Sequence, residues 1–230
     1  MKVLAIDTAT SACSVAIWQD GDVIARRFEA MSRGQAEFLM PMIGDVLRDA
    51  GCKTGDMDLL AVTIGPGAFT GIRIGLAAAR GLSLATGLPL VGVTTTDAIA
   101  HNVNDESGTT LLVALDSKRA DIFIEVFSGD GKSLAGPAAV APEDLAADMP
   151  KGPLAVVGDA ADVAICALKN AGVETHLVDA PGTPDAAVVA ALAAGRWQPG
   201  DEHPAAPSPV YLRPPDATPP KDGGCLRPAQ

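Results

Sequence analysis

The chain opens with three short runs in which apolar residues dominate or alternate with polar ones. Residues 3–6 form a continuous apolar run that stops at Asp7, and the runs 13–18 and 23–28 flank a turn that contains Asp-Gly. Runs of this length and pattern predict β-strands, and Asp-Gly between two of them predicts a hairpin. The chain is therefore predicted to begin with three consecutive strands joined by tight turns.

A helical period replaces the alternation after the third strand. Residues 35–50 carry an apolar stripe along one side, and a second helix begins at Phe69 or Thr70 and ends before Gly87. Predicted strands at 59–64 and 90–93 each follow a helix, so they need crossover connections and run parallel. The first half is thus predicted to be a mixed α/β unit.

The second half begins in the same way as the first. An apolar run at 111–115 stops at Asp116, and a further predicted strand at 122–127 follows it. This internal similarity is weak and does not amount to a sequence repeat. The remaining predicted elements are a strand at 154–157 and helices at 142–149, 162–171 and 183–194, the last capped by Thr183 with Pro184 in its first turn.

A polar break at 104–108 and a change of composition near the C-terminus divide the sequence. Nine of the 18 prolines fall in residues 199–230. Within that stretch only residues 209–213 have the pattern of an ordered anchor. The predicted parts are a first domain at 1–105, a second at 106–200, and a proline-rich C-terminal segment at 201–230 that is partly disordered.

Composition narrows the classes of function. The 230 residues carry a net charge of −11, which argues against a protein that binds nucleic acid by itself. The four cysteines form no C-x-x-C pair, so neither a zinc ribbon nor a redox pair is indicated. No run reaches the ~18 apolar residues of a membrane helix. We therefore expect a cytoplasmic, reduced protein that makes no membrane contact.

Three loops have the composition of phosphate-binding loops. The bend from Gly65 to Gly71 lies between a strand and a helix, where free N–H groups can bind phosphate, but no Lys-Ser or Lys-Thr follows it. A tight turn that needs glycine conformations explains the same residues. The turn from Asp7 to Ser11, and the similar loop at Asp116, can likewise be a phosphate loop or a turn with polar caps.

Small residues recur every four positions in the second helix, where Gly71 and Gly75 are followed by Ala79, with Ala78 beside it. Such spacing lets another backbone approach closely, either that of the chain's own sheet or that of a partner helix. The three histidines are far apart and form no H-E-x-x-H motif, and no G-x-S-x-G occurs. We therefore assign no catalytic and no metal-binding residues.

Several of these motifs together resemble the TsaB family, also called YeaZ. The runs from Lys2 to Thr10 and from Gly65 to Gly75 carry the resemblance most specifically. The loop that begins at Asp116 reads Asp-Ser-Lys-Arg, where the family more often has Asp-Ala-Arg-Arg. Supporting matches, which extend the resemblance over almost the whole chain, are residues 93–96, 116–119 and 209–213.

The resemblance implies an α/β, actin/Hsp70-like (ASKHA) fold of two RNase H-like lobes. It also implies a non-catalytic subunit that binds and activates TsaD, the enzyme that transfers threonylcarbamoyl to adenosine 37 of tRNA (t6A formation), together with the ATPase TsaE. tRNA would be contacted only through that complex. No cofactor is firmly implied, and ATP or ADP at the interface with the partners stays open. Alone, the chain could form homodimers through the same surface.

The resemblance places TsaD against the helices at 35–50 and 70–86. Two other classes stay open, a stand-alone nucleotide hydrolase of the same fold and a peptidase of the glycoprotease type. The expected partner interface is Phe38, Leu39, Met42, Ile43, Val46, Gly71, Ile74, Gly75 and Ala78, and the degenerate phosphate loops are Asp7, Thr8, Ser11 and Asp116.

Overall fold

The computed structural model describes residues 1–103 and 108–213, which build two five-stranded sheets. The first sheet has the strand order β3-β2-β1-β4-β5, in which β1, β2 and β3 are antiparallel neighbours and β4 and β5 run parallel to β1. The three opening strands of the sequence prediction are confirmed. The strands are β1 (Lys2–Asp7), β2 (Ala12–Gln19), β3 (Asp22–Ala30), β4 (Leu59–Thr63) and β5 (Leu90–Val93).

The second sheet repeats this topology. Its order is β8-β7-β6-β9-β10, again with three antiparallel strands followed by two parallel ones. The weak similarity between the two halves of the sequence therefore corresponds to a repeat of the sheet topology. The strands are β6 (Thr110–Asp116), β7 (Ile122–Phe127), β8 (Ser133–Val140), β9 (Leu154–Val157) and β10 (Thr175–Leu177).

Helices cover both faces of each sheet. On the first sheet, α1 (Gln35–Asp49) and α2 (Phe69–Thr86) lie side by side on one face, and their apolar stripes meet the side chains of β1, β2 and β4. An amphipathic helix buries its apolar stripe because that removes the stripe from water. On the second sheet, α4 (Ala161–Asn170) covers one face.

In each lobe, one of the packing helices comes from the part of the sequence that forms the other lobe. The helix α3 (Thr95–Ala100) follows the first sheet in sequence, yet its Ile99 packs on the second sheet. The helix α5 (Ala186–Arg196) follows the second sheet, yet it packs on the free face of the first. The expected second domain at 106–200 is therefore wrong at its C-terminal end, and the expected boundary at 105 lies outside the described residues.

The structure differs from the prediction in four further elements. The strands β8 and β10 were not predicted, and the segment expected as a helix at 142–149 is a 3₁₀ helix, Pro142–Asp148. The last helix begins later than expected, because the carboxylate of Asp185 accepts a hydrogen bond from the N–H of Ala187 at 2.9 Å and caps it. Thr183 and Pro184 precede this cap.

The C-terminal segment is ordered as far as the structure describes it. The N–H of Val210 donates to the carbonyl of Ile64 at 2.8 Å, so the predicted anchor at 209–213 is confirmed. The rest of the proline-rich segment, residues 214–230, lies outside the described residues. Of the helices that the structure describes, none is long and apolar enough to cross a membrane.

Candidate functional site

The resemblance leads us to expect a partner on α1 and α2, so the buried side of each helix decides which residues a partner can reach. Their inward sides fill the core of the first lobe, since the apolar face of the sheet must be covered. The expectation that the main apolar stripe of α1 contacts a partner is therefore wrong. Four of the expected interface residues are buried in the chain's own core: Leu39, Met42, Ile43 and Val46.

The two glycines of α2 also face inward. A Cβ atom on Gly71 would lie 2.0 Å from the carbonyl oxygen of Thr8, and one on Gly75 would lie 2.7 Å from the Thr8 hydroxyl oxygen. The Thr8 hydroxyl donates to the carbonyl of Gly71 at 2.7 Å. These glycines therefore allow α2 to approach the β1–β2 turn, and a larger residue at Gly75 would damage the fold rather than only a partner interface.

The outward sides of α1 and α2 form an exposed surface, which we call the helix face. Phe38 is 54% exposed, Met40 52% and Leu84 89%, and a Cβ atom on Gly44 or Gly81 would meet open space. Of the expected interface residues, Phe38, Ile74 and Ala78 keep at least partial exposure. The helix face comprises Phe38, Met40, Pro41, Gly44, Ile74, Ala77, Ala78, Gly81 and Leu84.

The helix α2 carries two ladders of small residues with the same four-residue spacing. Gly71, Gly75 and Ala79 point into the lobe, whereas Ala77, Gly81 and Ala85 point outward. Only the first ladder was predicted from the sequence. The second ladder has the same spacing and is shifted by two positions along the helix. The spacing of small residues in the sequence does not say which ladder faces the sheet.

Asp7 lies at the carboxyl end of β1 and is completely buried. Its Oδ1 accepts hydrogen bonds from the Thr63 hydroxyl at 2.6 Å and from the N–H of Ala9 at 3.0 Å, and its buried Oδ2 has no hydrogen-bond partner among the described residues. Burial raises the pKa of Asp7 to about 7, against the hydrogen bonds from Thr63 and Ala9, and the nearby charge of Asp185 adds to the rise. The carboxyl group is therefore placed to serve the fold, away from solvent.

The turn after Asp7 is in direct contact with the glycine bend. The N–H of Ala68 donates to the carbonyl of Ala9 at 2.7 Å, and a Cβ atom on Gly67 would lie 2.2 Å from the same oxygen. A phosphate group has no room between two backbones at hydrogen-bond distance. Asp7 and Thr8 of the expected phosphate loop are therefore closed off, whereas Ser11 and the two residues before it line an open cavity.

A cleft with a volume of about 1220 Å³ separates the two lobes. The turn at 9–11 and the first turns of α1 and α2 line it on one side, and the loop that follows β6 lines it on the other. Its polar lining is mixed in charge, and segment 210–213 also lines it. The charged residues that line it are Arg33, Glu37, Arg73, Asp116, Lys118, Arg119, Asp159 and Arg213.

Asp116 lies in this cleft and is held by its own loop. Lys118 donates to it twice, from its backbone N–H at 2.6 Å and from Nζ at 2.7 Å. Partial burial would raise the pKa of Asp116, but the hydrogen bonds and the charge of Lys118 outweigh it and lower that pKa. The N–H of Asp116 donates to Asp159 at 2.7 Å. This expected loop residue is thus half-exposed and already paired.

The described ranges contain no group of three or more His, Cys, Asp or Glu side chains that could hold a metal ion. His101 lies beside Asp97, with 3.7 Å between the ring Nδ1 and the carboxylate, and His176 lies on the edge strand β10. The geometry therefore offers an exposed helix face and a charged cleft as candidate sites.

Comparison with known proteins agrees with the repeated topology. Residues 29–180, about two thirds of the chain, match the family model described as TsaD: tRNA N6-adenosine threonylcarbamoyltransferase. The chain is 41% identical over 131 residues to the tRNA threonylcarbamoyladenosine biosynthesis protein TsaB of Escherichia coli, a match that spans 56% of this chain and 56% of that protein. It is 37% identical over 220 residues to an uncharacterised protein of Mycobacterium tuberculosis, covering 94% of each chain.

Solved structures show the same architecture. A YeaZ structure from Pseudomonas aeruginosa has a TM-score of 0.74 and 27% identity, and it covers 92% of this chain and 99% of that one. The activator of the 2-hydroxyisocaproyl-CoA dehydratase of Clostridium difficile, solved with bound ADPNP, has a TM-score of 0.50 at 12% identity, so it shows the fold alone. The protein is thus a two-lobed α/β protein with the actin/Hsp70-like fold, as the resemblance implied. Within that class, the chain belongs to the TsaB (YeaZ) family.

Proposed function

We propose that this chain takes part in t6A formation at adenosine 37 of tRNA as a non-catalytic subunit. In this role it binds and activates TsaD, the threonylcarbamoyltransferase, and works together with the ATPase TsaE. Its membership of the TsaB family supports the pathway, because the E. coli relative is named for tRNA threonylcarbamoyladenosine biosynthesis. The helix face is the observation that carries the partner-binding role.

The helix face has the properties of a surface for other helices. It combines exposed large apolar side chains, at Phe38 and Leu84, with exposed small residues, at Ala77 and Gly81. Small residues allow two helix backbones to approach, and apolar side chains around them supply the favourable burial. We therefore place TsaD on the outward ladder of α2 and the outward side of α1.

The same proposal explains why no catalytic group is assigned to this chain. Asp7 is closed off by the glycine bend, and Asp116 is paired with Lys118. The net charge of −11 opposes tRNA binding by this chain alone, so tRNA would be held mainly by the partners. In this proposal, ATP or ADP binds at the interface between this chain and its partners.

Gly81→Arg tests this placement most directly. The position is helical and open, so arginine should be tolerated by the fold and should raise helix propensity. It would also place a charged side chain in the middle of the helix face. We expect the affinity for TsaD from the same organism to fall roughly 100-fold, with threonylcarbamoyl transfer lost in parallel. Calorimetry and a tRNA-modification assay measure the two effects.

Gly195→Arg is the matched control. Gly195 is also a helical, exposed glycine with open space around it, but it lies on α5, on the opposite side of the first sheet. This variant should bind TsaD as the unmodified chain does. If Gly81→Arg binds TsaD with unchanged affinity, the helix face is not the interface. If a homodimer forms in the absence of TsaD, the same substitution should dissociate it, as light scattering would show.

The two other classes of function make different predictions. A stand-alone hydrolase would turn over ATP as an isolated chain, and a peptidase would cleave a peptide substrate without TsaD. Neither reaction is expected, because Asp7 already accepts a hydrogen bond from the Thr63 hydroxyl and Asp116 accepts one from the backbone N–H of Lys118. Activity of the isolated chain in either assay would overturn the non-catalytic role while leaving the helix face to be judged by the binding experiment.

A further inference from the structure

The C-terminal residues 207–213, which we call the clasp segment, lie along the first lobe before they reach the second. The carbonyl of Pro207 accepts a hydrogen bond from Arg80 Nη2 at 2.6 Å. Three residues later the N–H of Val210 donates to the carbonyl of Ile64 at 2.8 Å. The segment is therefore attached both to α2 and to the end of β4.

Tyr211 makes several contacts with the first lobe. Its hydroxyl accepts a hydrogen bond from Arg73 Nε at 2.8 Å, and its ring centroid lies 5.3 Å from that of Phe69. The Arg73 guanidinium lies 3.7 Å from the Phe69 ring centroid and 5.6 Å from that of Tyr211. Cation–π and aromatic contacts add to the hydrogen bond. The three side chains thus fix the segment to the first turns of α2.

The next two residues belong to the second lobe. Leu212 packs against the apolar core on one face of the second sheet. Arg213 forms an ion pair with Asp121, donates to the Ser117 hydroxyl at 3.1 Å, and lies 5.5 Å from the Phe123 ring centroid. Both members of the ion pair are largely buried, so water screens it less than an exposed pair.

Neighbouring side chains of one short segment are therefore anchored in different lobes, and the segment lines the cleft between them. The described residues also join the lobes at α3, where the Thr96 hydroxyl donates to Glu125 of the second sheet. Two-lobed proteins open and close by rotating about a hinge unless a second connection prevents it. We propose that residues 207–213 are a clasp that holds the two lobes together beside the cleft, with Tyr211 as the first-lobe anchor and Arg213 as the second-lobe anchor.

Hydrogen exchange of the full-length chain tests the clasp, because each variant removes a contact to one lobe and the exchange rate is measured in the other lobe. The hydrogen bond, ion pair and ring contact of Arg213 are all with the second lobe, yet Arg213→Ala should speed exchange in residues 69–76 of the first lobe at least about threefold. The hydrogen bond and ring contacts of Tyr211 are with α2, yet Tyr211→Ala should speed exchange in residues 117–122 of the second lobe. In both variants the central strands β1 and β6 should keep their protection.

Matched variants separate a clasp from local packing. Arg48→Ala removes an exposed arginine whose ion pair with Asp45 lies within α1, and it should leave exchange in both segments unchanged. If Arg213→Ala and Tyr211→Ala each affect only the lobe that the removed side chain touches, the clasp is overturned. If Arg213→Ala fails to fold, Asp121→Asn weakens the same ion pair from the other side and decides the question by the same readout.

Discussion

Gly71→Ala is expected to lower the free energy of unfolding by about 3 kcal/mol, whereas Gly81→Ala in the same helix should raise it by about 1 kcal/mol. Both substitutions replace a helical glycine, so both gain helix propensity. Only at Gly71 does the added methyl group meet backbone, the carbonyl oxygen of Thr8, at 2.0 Å. A backbone carbonyl in a turn cannot move aside cheaply, so the turn or the helix must shift.

Urea denaturation of the two variants and the unmodified chain measures the difference. The denaturant midpoints should move in opposite directions while the slopes stay equal, since neither variant changes the surface exposed on unfolding by much. A Gly71→Ala variant as stable as Gly81→Ala would mean that α2 and the β1–β2 turn are not in the close contact described. Gly81→Ala also leaves the helix face small, so it should still bind TsaD if that placement is correct.

Asp7→Asn is expected to remove a pH dependence of stability. The pKa of Asp7 is about 7 in the folded chain, against an ordinary value of 3.8 for an exposed aspartate, so between these values the folded state binds the extra proton. The stability that Asp7 contributes is therefore fully present below pH 3.8 and is lost as pH rises to about 7. The shift corresponds to about 4 kcal/mol. The Asn variant keeps an acceptor for Thr63 and Ala9 but does not titrate.

The measurement is the difference in unfolding free energy between the unmodified chain and Asp7→Asn across about pH 4.5 to 8. Burial also raises the pKa values of Glu125 and Asp159, and subtracting the two curves cancels their contributions. The unmodified chain should lose stability relative to the variant as pH rises, and the difference should level off above about pH 7. Parallel curves would show that Asp7 has an ordinary pKa in the folded state.

Local patterns predicted most of the elements because each depends on a few neighbouring residues. The hairpins of the first lobe and the stripe of α1 are examples, and their ends agree with the structure to within about two residues. The strand β8 was missed because Gly136 and Pro137 interrupt it and small residues replace the expected apolar alternation. It forms as an edge strand, where proline is tolerated.

The site was harder to predict than the fold, because the same residue types serve two purposes. An apolar stripe on α1 suits a partner as well as it suits the chain's own sheet, and the sheet takes it. Gly75 and Gly81 likewise look equivalent in sequence but face opposite directions. Only the register of α2 on the sheet distinguishes them, and that register depends on contacts with the distant turn at Thr8.

The exchange of helices between lobes has a consequence for synthesis on the ribosome. When the strands of the first sheet have emerged, the face made by Val3, Ala5 and Leu59 still lacks the helix that covers it. That helix, α5, is translated only after the whole second sheet. The second lobe is nearly continuous in sequence and can fold as the chain emerges, whereas the first must wait with an apolar face open. The nascent chain is therefore most prone to aggregate, or to need a chaperone, just before Trp197 leaves the exit tunnel.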